Sequence, residues 1–549
     1  MSKKPYLLVF FAAVGVAIGL YWPLALGLNS HWSPSAYGTI HAWSSEHILQ
    51  NLLAGENPHT ISDLGYPWIR EARFIGWAPM VASWLLIPLF GALGAYQVIT
   101  LLSAPICTVV AARFIQQQSQ CGPLIAAPAG LLFGFCPYQL ATLQTGEIPK
   151  AQLWVIPLFL MALLQTRSKG LQHALLLAAI SCITSFTSPY YGLALPLLAI
   201  GAAVVYAKAN AIQKGITVLV ATAIGLLPGL FYFGSHPEGL SAFYRPALAP
   251  ESLSGRLPDP HPIASIRDLM LGLPTRPADA WGTIHESYLG LLLVVATAWF
   301  FWKSRQQKHP GRRLGLLLLS FGVLLSFGPR LALVNHATAI PMPASVLEWF
   351  NYPIGRGGMY YRMVPFAVLG LALILASSLA NVRRGATIMW CIATLHIADG
   401  LRSTGPWPRP VESIAAESFL RSIAGNDGAV LLLPTIGNRD PYSAQKSSLR
   451  ALLHKRPETA LPTDMRMSEV HALQNLLQNA LGESDPPAAL RAQGFRYVIY
   501  APRFASKEHR LEKQRLDRLL PEGQPIDGYW VWDLGPTSLN PRSLSLSSE

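Results

Sequence analysis

Apolar runs of membrane length fill most of the chain up to about residue 400, separated by short polar or basic stretches; beyond that, short apolar stretches and amphipathic patterns alternate. The segments "YLLVFFAAVGVAIGLYWPLAL", "AYQVITLLSAPICTVVAARFI", "YGLALPLLAIGAAVVYA" and "YLGLLLVVATAWFF" each approach the roughly 20 residues needed to cross about 30 Å of hydrocarbon. The pattern predicts eleven transmembrane helices, starting near Tyr6, Ala95, Pro123, Gln152, Ala174, Gly192, Gly215, Ser287, Leu314, Met363 and Thr387. The third, fourth and ninth are short or interrupted by proline. The apolar run after "MSKKP" has the basic start of a signal peptide, but its length, Trp22-Pro23 and the lack of an A-x-A site make it the first span.

After the last span, near Leu401, the pattern changes at "STGPWPRP". The stretches "GAVLLLPT", "FRYVIYAP" and "GYWVWDL" read as short buried strands, and "VESIAAESFLRSIAG", "MSEVHALQNLLQNAL" and "EHRLEKQRLDRLLP" as amphipathic helices. The expected architecture is an α-helical polytopic membrane domain over residues 1–401, with a first external loop at 29–94, followed by a soluble α/β domain at 402–549.

Charge orients this arrangement. Lys and Arg collect at alternate span ends: Lys3 and Lys4, Arg113, Arg167 and Lys169, Lys208 and Lys214, "KSRQQKHPGRR", and Arg383 with Arg384. The positive-inside rule therefore places the N-terminus in the cytoplasm. Every acidic residue up to Asp399 then falls at an extracytoplasmic end, although the rule made no use of them, and the domain after Leu401 lies outside as well. With 13% charged residues against about 25% in soluble proteins, most of the chain faces lipid. The basic inner loops are accounted for by lipid charge and call for no nucleic-acid partner. The five cysteines lie in or beside apolar runs without zinc-site spacing and read as packing residues.

Three stretches together resemble the GT-C superfamily of membrane glycosyltransferases, which take sugars from polyprenyl-phosphate carriers. The first is the loop "YGTIHAWSSEHILQNLLAGENPHTISDLGYPW", in which Gly38, Trp43, Gly55, Pro58, Tyr66 and Pro67 fit the pattern. The second is "FGFCPYQLATLQTGEIPKAQLWVIPL", and the third is "HESYLGLLLV". Thr39 stands where the pattern has a first-loop Asp, and Gly146-Glu147 where it has Gly-His. The resemblance implies a bacterial inner-membrane enzyme, acting at the periplasmic face on a glycan, lipid or protein acceptor, and leaves open a divalent cation such as Mg²⁺ or Mn²⁺. It also accommodates a non-catalytic protein of the same fold that handles lipid-linked sugars, and the interrupted segments "GVLLSFGPR" and "SFTSPYYG" would suit a solute transporter.

Sugar transfer from such a carrier calls for a carboxylate base at the acceptor and cations at the departing phosphate. Asp63, before the "YP" turn, and Glu46, on a predicted helix, are the first-loop acids that could replace the missing Asp; a turn residue and a solvent-facing helix carboxylate are the alternatives. Glu147 and Lys150 flank Pro149 at a span entrance, where they could serve chemistry or pair with each other. Glu286 opens the "YLG" span, as a helix cap or a reacting group. For phosphate, Arg356 and Arg362 in "NYPIGRGGMYYRMVPF" are the leading candidates, beside Lys150 and the weaker Arg245. His41 and His47, six apart, face different sides of a helix and suit hydrogen bonding better than metal ligation.

Overall fold

The computed structural model describes residues 4–22, 24–28, 30–32, 38–61, 70–71, 76–169, 171–205, 211–234, 264–271, 287–306, 309–333, 337–349, 360–404, 412–413, 418–425, 427–433, 449–450, 452–456, 459, 467–500, 507–526 and 529–537. These residues form two compact units. One comprises residues 1–25, 75–79 and 98–409; the other comprises 26–74, 80–97 and 410–549.

The first unit is helical. Each of the eleven apolar segments contains a helix, running in order over Lys4–Leu20, Ile87–Ser119, Pro123–Gly134, Val155–Lys169, Leu171–Thr187, Pro189–Val205, Ala211–Gly234, Leu291–Lys303, Pro310–Ser326, Val364–Leu379 and Gly385–Thr404. Among the described residues, three segments are long and apolar enough to cross a bilayer: Ile87–Ser119, Gly215–Phe233 and Tyr360–Leu379. A fourth span is formed if Pro123–Gly134 and Pro137–Gln144, bent by 43°, are counted together. These apolar helices make the chain a multi-pass membrane protein. Tyr360–Leu379 is enclosed along its whole apolar window. Small residues allow this enclosure: a Cβ on Gly370 would come within 2.5 Å of the Gly315 carbonyl, and one on Gly322 within 2.4 Å of the Ala367 nitrogen. Helices approach that closely only where side chains are absent.

The sequence "GVLLSFGPR" resolves differently from an interrupted helix. The helix stops at Ser326, Gly328 adopts φ +68, and Arg330–Ala332 pairs antiparallel with Ala337–Pro341. Proline at 329 and the left-handed glycine turn the chain out of the helix, and the hairpin takes up the freed backbone groups.

The second unit contains a four-stranded sheet. Ala429–Leu433 runs parallel to Phe495–Tyr500, which pairs antiparallel with Tyr529–Asp533, and Gln524–Ile526 forms the edge beyond. Alternate side chains serve opposite faces. Leu431, Leu433, Val498 and Trp532 join Leu477, Leu490 and Leu516 of the covering helices, whereas Val430, Tyr497, Ile499 and Val531 pack with Leu420. Within the expected helix over Val411–Gly425, Ser418–Ser422 is helical, and residues 411 and 414–417 lie outside the described residues. Glu412 and Ser413 are extended because their backbone pairs with His31 and Trp32. In the first-loop part of this unit the helix Gly38–Leu53 is tied down by Ser45 to Ser83 at 2.5 Å and by the Trp84 indole donating to the Ser45 carbonyl at 3.0 Å.

Candidate functional site

The first unit brings three of the expected site residues together just past the C-terminal end of the broken helix pair. Pro137–Thr145 ends at Gly146, whose φ of +73 is the left-handed cap a side chain would resist. The Glu147 N–H then reaches back to the Thr142 carbonyl at 3.1 Å. Glu147 starts the single turn Ile148–Ala151, so its carboxylate and the Lys150 ammonium lie three residues apart in contact as an ion pair. The Lys150 side chain is 8% exposed and that of Glu147 15%. An ammonium at that depth is costly unless it is paired and hydrogen-bonded. Lys150 also donates to the Tyr361 hydroxyl at 3.4 Å and lies 5.8 Å from that ring's centre.

Arg362 follows Tyr361 on the short 3₁₀ turn Tyr360–Met363, at the mouth of the enclosed helix. It is 4% exposed, and its guanidinium stacks 3.6 Å over the Tyr190 ring. Tyr191 braces the other side, donating to the Lys150 carbonyl at 2.8 Å and accepting from the Tyr138 hydroxyl at 3.0 Å. Gly76, at φ +84, lets the chain pass against Pro149, whose Cγ would stand 2.6 Å from an added Cβ. Gln139 donates to the Ala151 carbonyl at 2.9 Å, and Gln152 to Ser103 Oγ at 2.9 Å and the Ile148 carbonyl at 3.2 Å. The irregular turn thus has its backbone satisfied by buried side chains, as non-helical chain at membrane depth requires. The outcome is one carboxylate, two cations and two aromatic rings held on a fixed frame.

Glu46 lies in the second unit, on the helix Gly38–Leu53, and accepts from Lys455 at 2.6 Å. Both line a cavity of about 420 Å³, together with Arg421. Asp63, Arg356, Arg245 and Glu286 lie outside the described residues. Thr39 is buried. His47 binds the Thr60 carbonyl at 2.7 Å and stacks on Trp43 at 5.0 Å, while His41 stacks on Tyr96 at 6.4 Å. Among the described residues no three His, Cys, Asp or Glu side chains converge as a metal site.

Sequence reasoning missed Tyr190, although the "SPYY" that carries it was visible as a helix break. It also missed the contact that explains the "YLG" stretch. Tyr288 is buried with its hydroxyl on the Asp399 carboxylate, which Arg402 also contacts at 3.0 Å. Gly290, at φ +85, leaves room for the buried His396 ring, whose Nδ1 would stand 2.3 Å from an added Cβ.

No family model and no curated protein matches this chain. Solved structures do. The chain aligns over 91% of its length with 70% of an oligosaccharyltransferase from Archaeoglobus fulgidus in the apo form, at TM-score 0.50 and 9% identity. It aligns over its full length with all of ArnT from Cupriavidus metallidurans, at 0.50 and 12%. It also aligns over 91% of its length with the arabinofuranosyltransferase AftD from Mycobacteria, at 0.53 and 14%, where it spans 37% of that protein. At these identities the likeness is one of fold, shared with all three structures.

Proposed function

We propose that the protein is a GT-C membrane glycosyltransferase that moves a sugar from a polyprenyl-phosphate carrier to an acceptor at the periplasmic face of a bacterial inner membrane. In this reading all eleven apolar segments span the bilayer, the N-terminus is cytoplasmic and the α/β domain is external. The observation that carries it is the buried cluster of Glu147, Lys150 and Arg362 in a chain with this fold. Two cations on a rigid frame suit a phosphate whose charge grows as the sugar leaves. An adjacent carboxylate can take the acceptor proton.

The acceptor oxygen attacks the anomeric carbon, the carbon–oxygen bond to phosphate breaks, and the polyprenyl phosphate departs with the bonding pair. Lys150 and Arg362 balance its charge. Glu147 receives the acceptor's proton once Lys150 turns toward the phosphate. Asp63 and Glu46 are the alternative bases, and a bound Mg²⁺ or Mn²⁺ would supplement the cations. Thr39, buried where the superfamily pattern has an acid, favours a second reading, a non-catalytic protein of the same fold that handles lipid-linked sugars.

Proteoliposomes of the full chain, supplied with a panel of polyprenyl-phosphate sugars and envelope acceptors, distinguish the two. The enzyme reading expects transfer that falls on the order of 10²-fold or more in Glu147→Gln. Absence of transfer across the panel favours the second reading. Undiminished transfer in Glu147→Gln, Asp63→Asn and Glu46→Gln alike removes the site assignment.

A further inference from the structure

The cavity in the second unit is a feature that chemistry at Glu147, Lys150 and Arg362 does not explain. Its walls are contributed by Glu46 of the first-loop helix, Leu89 and Leu93 of the segment that starts the helix Ile87–Ser119, Arg421, and Leu453 with Lys455 of the external domain. That helix starts with a single turn and then breaks at Gly91, whose φ of +64 and ψ of 172° are non-helical. Gly91 and Ala92, at this break, line the cavity with little side chain. At about 420 Å³ the cavity falls within the range of small-ligand sites, roughly 300–1,000 Å³.

Its chemistry is divided. Glu46 is neutralised by Lys455 at 2.6 Å, and no described carboxylate pairs with Arg421, so the three charged side chains leave a net charge of +1 (−1 + 1 + 1). The remaining wall is mainly leucine, and its apolar character continues outward. Leu89 is 73% exposed, as is Leu85, at 80%, four residues earlier on the approach to a membrane-crossing helix. Exposed leucines beside a bilayer-spanning segment are in their proper solvent only against an acyl or isoprenoid chain.

We propose that this cavity is a binding site for a phosphate-headed lipid. The anionic head sits between Arg421 and Lys455, the first carbons lie on Leu93 and Leu453, and the rest of the chain leaves past Leu89 and Leu85. The cavity accommodates the head and the start of a chain but not a whole lipid, which is why an open apolar lip matters. Glu46 fixes the Lys455 ammonium in place. Its occupancy does not depend on sugar transfer.

Binding to the purified full-length protein, measured by native mass spectrometry or by competition for a photoreactive lipid, tests this directly. The probes are phosphatidylglycerol, undecaprenyl phosphate, inorganic phosphate and, as a zwitterionic reference, phosphatidylcholine. At least one of the first two is expected to bind about tenfold or more above phosphatidylcholine. One bound lipid per protein should be lost in the Arg421→Gln/Lys455→Gln double variant, whose positions are exposed or half-exposed and carry little folding risk, while a carrier held at Lys150 and Arg362 stays. Filling the cavity with Leu453→Trp should remove the same lipid with the charges intact, and its thermal melt reports whether the fold survives. Preference for undecaprenyl phosphate marks the occupant as an isoprenoid carrier, and preference for phosphatidylglycerol as a bilayer lipid. Equal binding of phosphatidylcholine, wild-type binding by the double variant, or free phosphate binding as tightly as either lipid overturns the proposal. These readouts are independent of transfer, so their failure leaves the enzyme reading standing.

Discussion

Lys150 and Arg362 are the residues on which the chemical argument depends, and each is expected to fail in its own way when replaced. Lys150→Met leaves the Glu147 carboxylate, 15% exposed, without its ion-pair partner. Breaking a buried pair costs about 3 kcal/mol or more. The double variant Glu147→Gln/Lys150→Met should recover most of that stability while remaining inactive. Thermal melts and transfer rates of the three variants form the cycle that separates structure from chemistry. Arg362→Lys keeps the charge but loses the planar stack on Tyr190, so transfer should drop about tenfold while the melt changes little. A drop in stability equal to that of Lys150→Met would mark Arg362 as a packing residue. Glu147 and Lys150 were visible as a pair in the sequence because they flank Pro149. Tyr190 was not, since its approach to Arg362 joins positions far apart in the chain and no local pattern encodes it.

For the elements, the strands Ala429–Leu433, Phe495–Tyr500 and Tyr529–Asp533 and the helices Met467–Gly482 and Lys507–Leu519 follow from hydrophobic periodicity alone. The strand at Glu412–Ser413 did not, because a distant backbone partner at His31–Trp32 sets it, and the hairpin after Ser326 was hidden in an apolar stretch read as an interrupted helix. The buried Arg456 is another such case. It donates to Asp427 at 2.7 Å and to the Gly428 carbonyl at 3.2 Å, and its guanidinium lies 5.0 Å from the Tyr497 ring centre. Burial draws its pKa below the ordinary arginine value, against the pull of Tyr497 and Asp533. Arg456→Met should therefore destabilise the sheet by roughly 3 kcal/mol, through the carbonyls and carboxylate left behind. Chemical denaturation of the full chain, followed by fluorescence of the tryptophans at 530 and 532, is the measurement. An unchanged midpoint would show that water replaces the guanidinium. Asp485→Ala, which removes the 3.0 Å cap on the Ala488 N–H, should cost about 1 kcal/mol in the same assay.

For the whole molecule, the account rests on charge asymmetry for orientation and on fold for chemistry. The orientation predicts that, in a background lacking Cys391, a cysteine at Ser304 is labelled only from the cytoplasm and one at Glu522 only from outside. Labelling of both from the same side would invert the assignment of every carboxylate. The fold class was legible because eleven apolar segments and a composition break at "STGPWPRP" are large signals. The grouping of residues 26–74 and 80–97 with residues 410–549 was not, since those segments precede the latter by more than three hundred positions. The measurement that bears most directly on the central claim is a cryo-EM map of the full chain with polyprenyl phosphate bound. The account predicts phosphate density within about 3.5 Å of both Lys150 Nζ and the Arg362 guanidinium, the ordinary reach of a hydrogen bond, with the Glu147 carboxylate freed from its ion pair. Phosphate density elsewhere, with Lys150 still paired to Glu147 and Arg362 still stacked on Tyr190, would contradict it.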